Sequence, residues 1–220
     1  MPLADAPSLL TLMWSPLTVV TAAHDGAKGG QIAVGAFAAS IVPAQPRVLV
    51  QIQKRNHTNS LIEASGQLAV HVMAREQWQW VRHWGFRSQT EVDKFEGLDW
   101  SEHDSGLPIL GGVLGWMTCQ VVNVMDGGDM AIWLADVTDA DRNTRAQPLR
   151  WHEVQQVLPP DWAEEYGRKL SLDVPDSGRR MSELSGSPPW KVGRGPSPPS
   201  FEGAGSNPLP EGEGIRGGRP

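Results

Sequence analysis

A single cysteine, Cys119, stands in a chain of 220 residues, which excludes an intrachain disulfide and a cysteine-built zinc site. Long apolar runs are missing too. Glycine, proline or a charge interrupts every candidate stretch of 18 residues, so no membrane span is expected. Positive charge is in short supply: 19 Lys and Arg face 25 Asp and Glu, a formal net charge of −6, which argues against a general nucleic-acid binder. Met1–Ala6 carries no basic residue, and the short apolar run Leu9–Trp14 ends at Ser15-Pro16, so no secretory signal is read there and a cytoplasmic protein is expected.

Several catalytic signatures are also lacking. There is no Gly-x-Ser-x-Gly elbow, no phosphate-binding Walker loop and no Gly-x-Gly-x-x-Gly following a strand, which speaks against a Rossmann nicotinamide domain. His24, His71, His83, His103 and His152 have no metal-ligand spacing, so no metal site is expected. One tyrosine against ten tryptophans is unusual, but tryptophan is mostly a packing residue and names no ligand.

What is present divides the chain. Of the 44 residues after Asp176, 10 are Gly and 8 are Pro, too little apolar surface to offset the entropy of ordering them. Residues 177–220 are therefore expected to be a disordered, dispensable tail, residues 10–176 one domain, and residues 1–9 an extension. The tail holds six basic and four acidic residues, leaving 13 against 21 upstream, a net −8. A domain so charged must gather its positive charge locally to hold an anion.

Short β-rich runs dominate the domain. Leu17–Ala22, Gln31–Ala36, Arg47–Gln53, Leu68–Met73, Val113–Met125 and Met130–Thr138 read as strands. Asp25-Gly26 to Gly29-Gly30 and Asp126-Gly127-Gly128-Asp129 read as hairpin turns. Thr58–Ser65 and Ala74–Trp84 read as helices ending at Gly66 and Gly85, with two more over Trp151–Leu158 and Asp161–Leu172. About six hairpin-linked strands predict a mainly β protein, an antiparallel barrel with few helices.

Two stretches suit a ligand. In Gln53-Lys54-Arg55-Asn56-His57-Thr58 a strand ends in two bases and runs into a helix start. Unpaired N–H groups and the positive end of the helix dipole favour an anion there, and Lys54, Asn56 and Thr58 add charge and donors. The same residues also suit a plain helix cap beside two solvated bases. In Gly30–Pro43 small side chains prevail, as a flat ring approached by backbone N–H groups requires, with Ser40 as a further donor. Close strand packing would need small residues as well. Cys119, in an apolar strand, reads as core rather than as a nucleophile.

The order of these pieces resembles the flavin reductase-like family, an FMN-binding split barrel of Greek-key type. Thr18-Val19-Val20-Thr21, Gln31–Ser40 with Pro43 and Pro46, and Val48–Gln53 with Asn56, Thr58 and Ser65-Gly66 are similar to its first three strands and phosphate helix. Asp93-Lys94-Phe95, Pro108-Ile109-Leu110, Gly115–Cys119, Gly128-Asp129 and Ala135-Asp136-Val137 are similar to its later signatures. The likeness covers residues 10–138. It implies FMN (or FAD) as cofactor, NAD(P)H as transient reductant, a homodimer, and a monooxygenase or other acceptor for the electrons. Carried over by position, Ala33, Val34, Ser40 and Ile41 line the ring, and Gln51, Lys54, Asn56 and Thr58 hold the ribityl-phosphate. Asp93, Lys94 and Phe95, with Trp84–Phe86, form a covering loop. Met130 stands where the family has the histidine that helps place the nicotinamide, and a methionine donates no hydrogen bond. NAD(P)H-dependent flavin reduction is the expected activity. An electron-transfer flavoprotein without it, or a cofactor-free dimeric binding module, are the alternatives that Met130 keeps open.

Overall fold

The computed structural model describes residues 6–14, 16–87 and 92–184. Asp25 and Gly26 both take positive φ, 48° and 79°, the two-residue turn whose twist matches the strands it joins. It closes β1 (Thr18–His24) directly onto β2 (Ala27–Ala33), with His24 opposite Ala27. The second strand thus begins four residues earlier than expected, because Asp25-Gly26 completes the turn alone. Gly29 and Gly30 lie inside the strand instead.

The remaining strands of the main sheet are β3 (Ala36–Ala38), β4 (Arg47–Gln53) and β5 (Gln67–Val72), then, after the short pair β6 (Trp100–Glu102) and β7 (Pro108–Leu110), β8 (Gly115–Asp126) and β9 (Met130–Asp141). The β6–β7 ribbon was not anticipated. Seven strands pair antiparallel in the order β2-β1-β5-β8-β9-β4-β3. β2 and β3 sit at opposite edges, yet only Val34 and Gly35 separate them in the chain, so the sheet has to curl until its edges meet. The Gln51 N–H donates to the Gly35 carbonyl at 2.8 Å, which carries the β3–β4 pairing back into the connection with β2. The connection from β4 to β5 passes over two strands, β9 and β8, the Greek-key step. The molecule is the expected mainly β split barrel.

Side chains alternate as a barrel wall demands. On β4, Val48, Val50 and Ile52 point inward and Gln51 outward. They meet Val20, Leu68, Val70 and Trp133 in the interior, where each fully buried aliphatic side chain is worth about 1.5–3 kcal/mol. Helix α2, spanning His57–Ser65 after the short N-terminal α1 (Ala6–Leu12), plugs this core with Leu61 and Ile62. It stops at Gly66, whose φ of 68° lets its N–H reach the Ile62 carbonyl at 2.8 Å. Cys119 is fully inside, and burial pushes its thiol up to about 12, so it is core.

A second core lies outside the barrel around Leu17, Val19, Met73, Trp84, Phe95 and Leu149. The expected helix Ala74–Trp84 is absent. A 3₁₀ turn at Arg75–Gln77 and a π-helical turn at Arg82–Phe86 replace it. Trp84 is buried at the centre of the second core, and Trp78 packs on Trp162 at its margin. Helices α3 (Trp151–Val157) and α4 (Pro160–Glu183) follow. α4 runs eleven residues past its expected end at Leu172, so the expected tail boundary at Ser177 falls inside a helix. The rest of that expected tail, residues 185–220, lies outside the described residues. No helix among them is long and apolar enough to cross a membrane.

Candidate functional site

The residues singled out in the sequence fall into three groups. The first lines an apolar groove of about 440 Å³ at one end of the barrel, within the range of small-molecule pockets. Ser40 and Ile41 belong to it, with Ala36, Phe37, Pro43 and Val48. Ile41 is wholly exposed, and the Ser40 hydroxyl accepts the Val42 N–H at 3.0 Å. Arg47 is the charged side chain on the groove's lining, and its Nε donates to Asp136 at 2.6 Å. That pair is invisible in the sequence, because it depends on the register that sets Arg47 opposite Asp136.

The second group sits at the other end of β4, a seven-residue strand spanning roughly 20 Å. Asn56 is the N-cap of α2, but its side chain makes no capping bond; it donates to Gln31 Oε1 at 2.8 Å. The first turn of α2 holds no acidic residue, so its N–H groups and dipole stand without a counter-charge of their own. Lys54 Nζ lies 3.0 and 2.9 Å from the two Asp126 oxygens, and this contact is the main reason that carboxyl sits below its usual range. Arg55 Nη1 donates to Asp173 at 2.7 Å. Thr58 is buried, its hydroxyl facing Gly29. Gln51 lies between the two groups, its side chain folded over Gly35. Met130 opens β9 opposite Gln53, beside Lys54 rather than the groove.

The third group is not a cover. Phe95, Trp84 and Phe86 are core residues, with Phe95 edge-on to Trp84 at 5.2 Å. Lys94 is 3% exposed, and its ammonium donates to the Gly30 and Trp84 carbonyls at 3.0 Å each. Asp93 accepts the Phe95 N–H at 2.9 Å. Lys94 therefore staples the second core to β2 and has its donors committed. Ala33 likewise faces the barrel interior, so only its main chain can meet a ligand.

Residues 10–157 match the model of the flavin reductase like domain. The chain belongs to the flavin reductase-like family. Among its relatives is the reductase subunit HsaB of a flavin-dependent monooxygenase from Rhodococcus jostii, 30% identical over 168 residues, covering 73% of this chain and 84% of the relative. The high molecular weight rubredoxin of Moorella thermoacetica is 30% identical over 164 residues, 72% of this chain and 70% of the relative. A solved NADH:FAD oxidoreductase, SgcE6 of Streptomyces globisporus, in complex with NAD and FAD fragments, is 26% identical with a TM-score of 0.58, covering 67% of this chain and 88% of that one. As a flavin reductase-like domain, the chain fits the group its family uses. A ring-sized apolar groove and an anion-suited helix start occupy the two ends of one strand, with Gln51 between.

Proposed function

We propose that this chain is an NAD(P)H:flavin oxidoreductase whose flavin lies along β4, and that it passes reduced flavin to a partner oxygenase. The observation that carries this is the linear order along β4: groove, Gln51, then Lys54, Asn56 and the start of α2. A ring, a polyol and a phosphate in one extended molecule need that order of apolar wall, amide and cation. Bound flavin supplies the electron chemistry, taking reducing equivalents from NAD(P)H. The protein's part is to bind and orient. Ser40 and the backbone of Val34–Ala36 face the ring, Lys54 and the free N–H groups of α2 neutralise the phosphate, and Ile41 and Phe37 exclude water. Met130 stands beside Lys54 and away from the groove, so the nicotinamide has to be oriented by the shape of the groove itself.

The active unit in this reading is a pair of chains. Val122 and Val124, each 47% exposed, and Met125, 59% exposed, follow one another along β8, and Ile41 projects freely at the groove. A second copy would bury such surface. NAD(P)H as reductant fits the cytoplasm.

Titration of the purified chain with FMN, followed by flavin fluorescence, tests the site. Saturable quenching is the expected result. Fluorescence that tracks free FMN at every concentration would contradict it.

A further inference from the structure

Helix α4 begins at Pro160, three residues beyond the family match, and crosses the phosphate end of the site. Its contacts repeat at the spacing of a single helix face. Trp162 packs on Trp78 with ring centroids 5.6 Å apart, and Glu165 accepts from Arg82 at 2.8 Å. Tyr166 stacks on Phe86 at 5.2 Å. Asp173 accepts from Arg55 at 2.7 Å, and Ser177 from Gln53 at 3.3 Å. At the far end Met181 lies on the β8–β9 turn, so close that a Cβ added to Gly128 would stand 3.0 Å from Met181 Cα. Gln53, Lys54 and Arg55, the three residues before the α2 cap, are thus each engaged by α4 or by Asp126 of the adjoining hairpin.

The two flavin nucleotides differ only past this point. FMN ends in the phosphate, whereas FAD continues through a second phosphate to adenosine and needs open space there. With the first phosphate at the start of α2, a second would run toward α4, whose Asp173, 7% exposed and held by Arg55 and Lys169, presents a carboxylate on that side. We propose that α4 closes the phosphate end of the flavin site and so selects FMN over FAD. The proposal rests on the flavin reading above and names the helix that makes the choice.

Dissociation constants for FMN and FAD decide it, measured by fluorescence titration on the full chain, on full-length Asp173→Asn, and on a chain ending at Leu172. The full chain should bind FMN at least ~10-fold more tightly than FAD, a difference of affinities set by exclusion rather than attraction. Ending the chain at Leu172 should bring FAD within about 3-fold of FMN while FMN itself moves less than about 3-fold. Asp173→Asn, which keeps the helix, should narrow the gap in the same direction. Equal affinity for both flavins in the full chain would overturn the proposal. So would a gain shared equally by both on truncation, since α4 would then lie over the first phosphate. Should the shortened chain fail to fold, the full-chain ratio and Asp173→Asn still decide. Absence of binding by either flavin to the full chain is a different result, and it would overturn the flavin reading together with this one.

Discussion

Lys54 and Arg55 were legible in the sequence as a local concentration of positive charge in an acidic domain, but their partners were not. Asp126 is 72 residues from Lys54 and Asp173 is 118 from Arg55, and no pattern in the chain announces either pairing. Lys54 is the cleaner of the two to test, because its partner Asp126 lies in the β8–β9 hairpin and not in α4. Lys54→Glu sets a second carboxylate beside Asp126 and removes a charged donor, so the FMN dissociation constant should rise at least ~10-fold, the lower range for a charged hydrogen bond. An unchanged constant, read by fluorescence titration, would remove the phosphate from this end of β4. His71 is a second residue the sequence left unexplained. It is fully buried, its Nδ1–H donates to the Val19 carbonyl at 3.1 Å, and its Nε2 has no partner among the described residues. Burial lowers its pKa to about 4, only partly offset by that carbonyl. Between the unfolded value of 6.5 and about 4 the unfolded chain takes up a proton that the folded chain refuses. Stability therefore falls as pH drops through that window and levels off below it, by about 3–3.5 kcal/mol in all. His71→Leu should flatten this part of the pH–stability curve in urea unfolding at pH 7 and pH 4.5. An equal slope in both proteins would show that other groups carry it.

At the scale of elements, alternation proved the most reliable guide. β4 occupies the residues expected of it, because inward Val48, Val50 and Ile52 leave only one register with a buried face. The Trp78–Trp84 segment was misread because its aromatics answer to distant partners, Trp162 and Phe95, rather than to a local period. The small-residue run had two open explanations, and two of its glycines separate them. A Cβ on Gly30 would stand 2.5 Å from Trp84 Cζ3, a ring wedged in the second core, so packing requires this glycine. At Gly35 the neighbour is Gln51 Oε1 at 2.7 Å, the free end of a flexible side chain. Gly30→Ala should destabilise by about 1–3 kcal/mol, the usual cost of overpacking, while Gly35→Ala should stay within about 0.5 kcal/mol. Chemical denaturation compares them. Equal losses would mean that Gly35 is also a packing position and that Gln51 is fixed, not adaptable to a ligand.

For the whole molecule, the order of motifs along the chain was enough to anticipate a split barrel and its family, because each piece falls on a strand or turn the barrel needs. What the order did not reveal is which pieces converge. Closure of β2 onto β3 sets the groove and the α2 start at the two ends of β4, and it sends Asp93-Lys94-Phe95 to a separate core. The length of α4 was hidden too, since Pro175 and the Gly- and Pro-rich composition beyond it argued for an earlier end. In the proposed function this chain moves electrons from NAD(P)H to flavin. The most direct measurement is the rate of NADH and of NADPH oxidation by the purified full-length chain, with FMN present and absent. Turnover that requires FMN, saturates with one of the two nicotinamides and falls in Lys54→Glu is the predicted result. No oxidation of either nicotinamide above the protein-free rate, in a preparation that binds FMN, would contradict the account and leave an electron-transfer flavoprotein in its place.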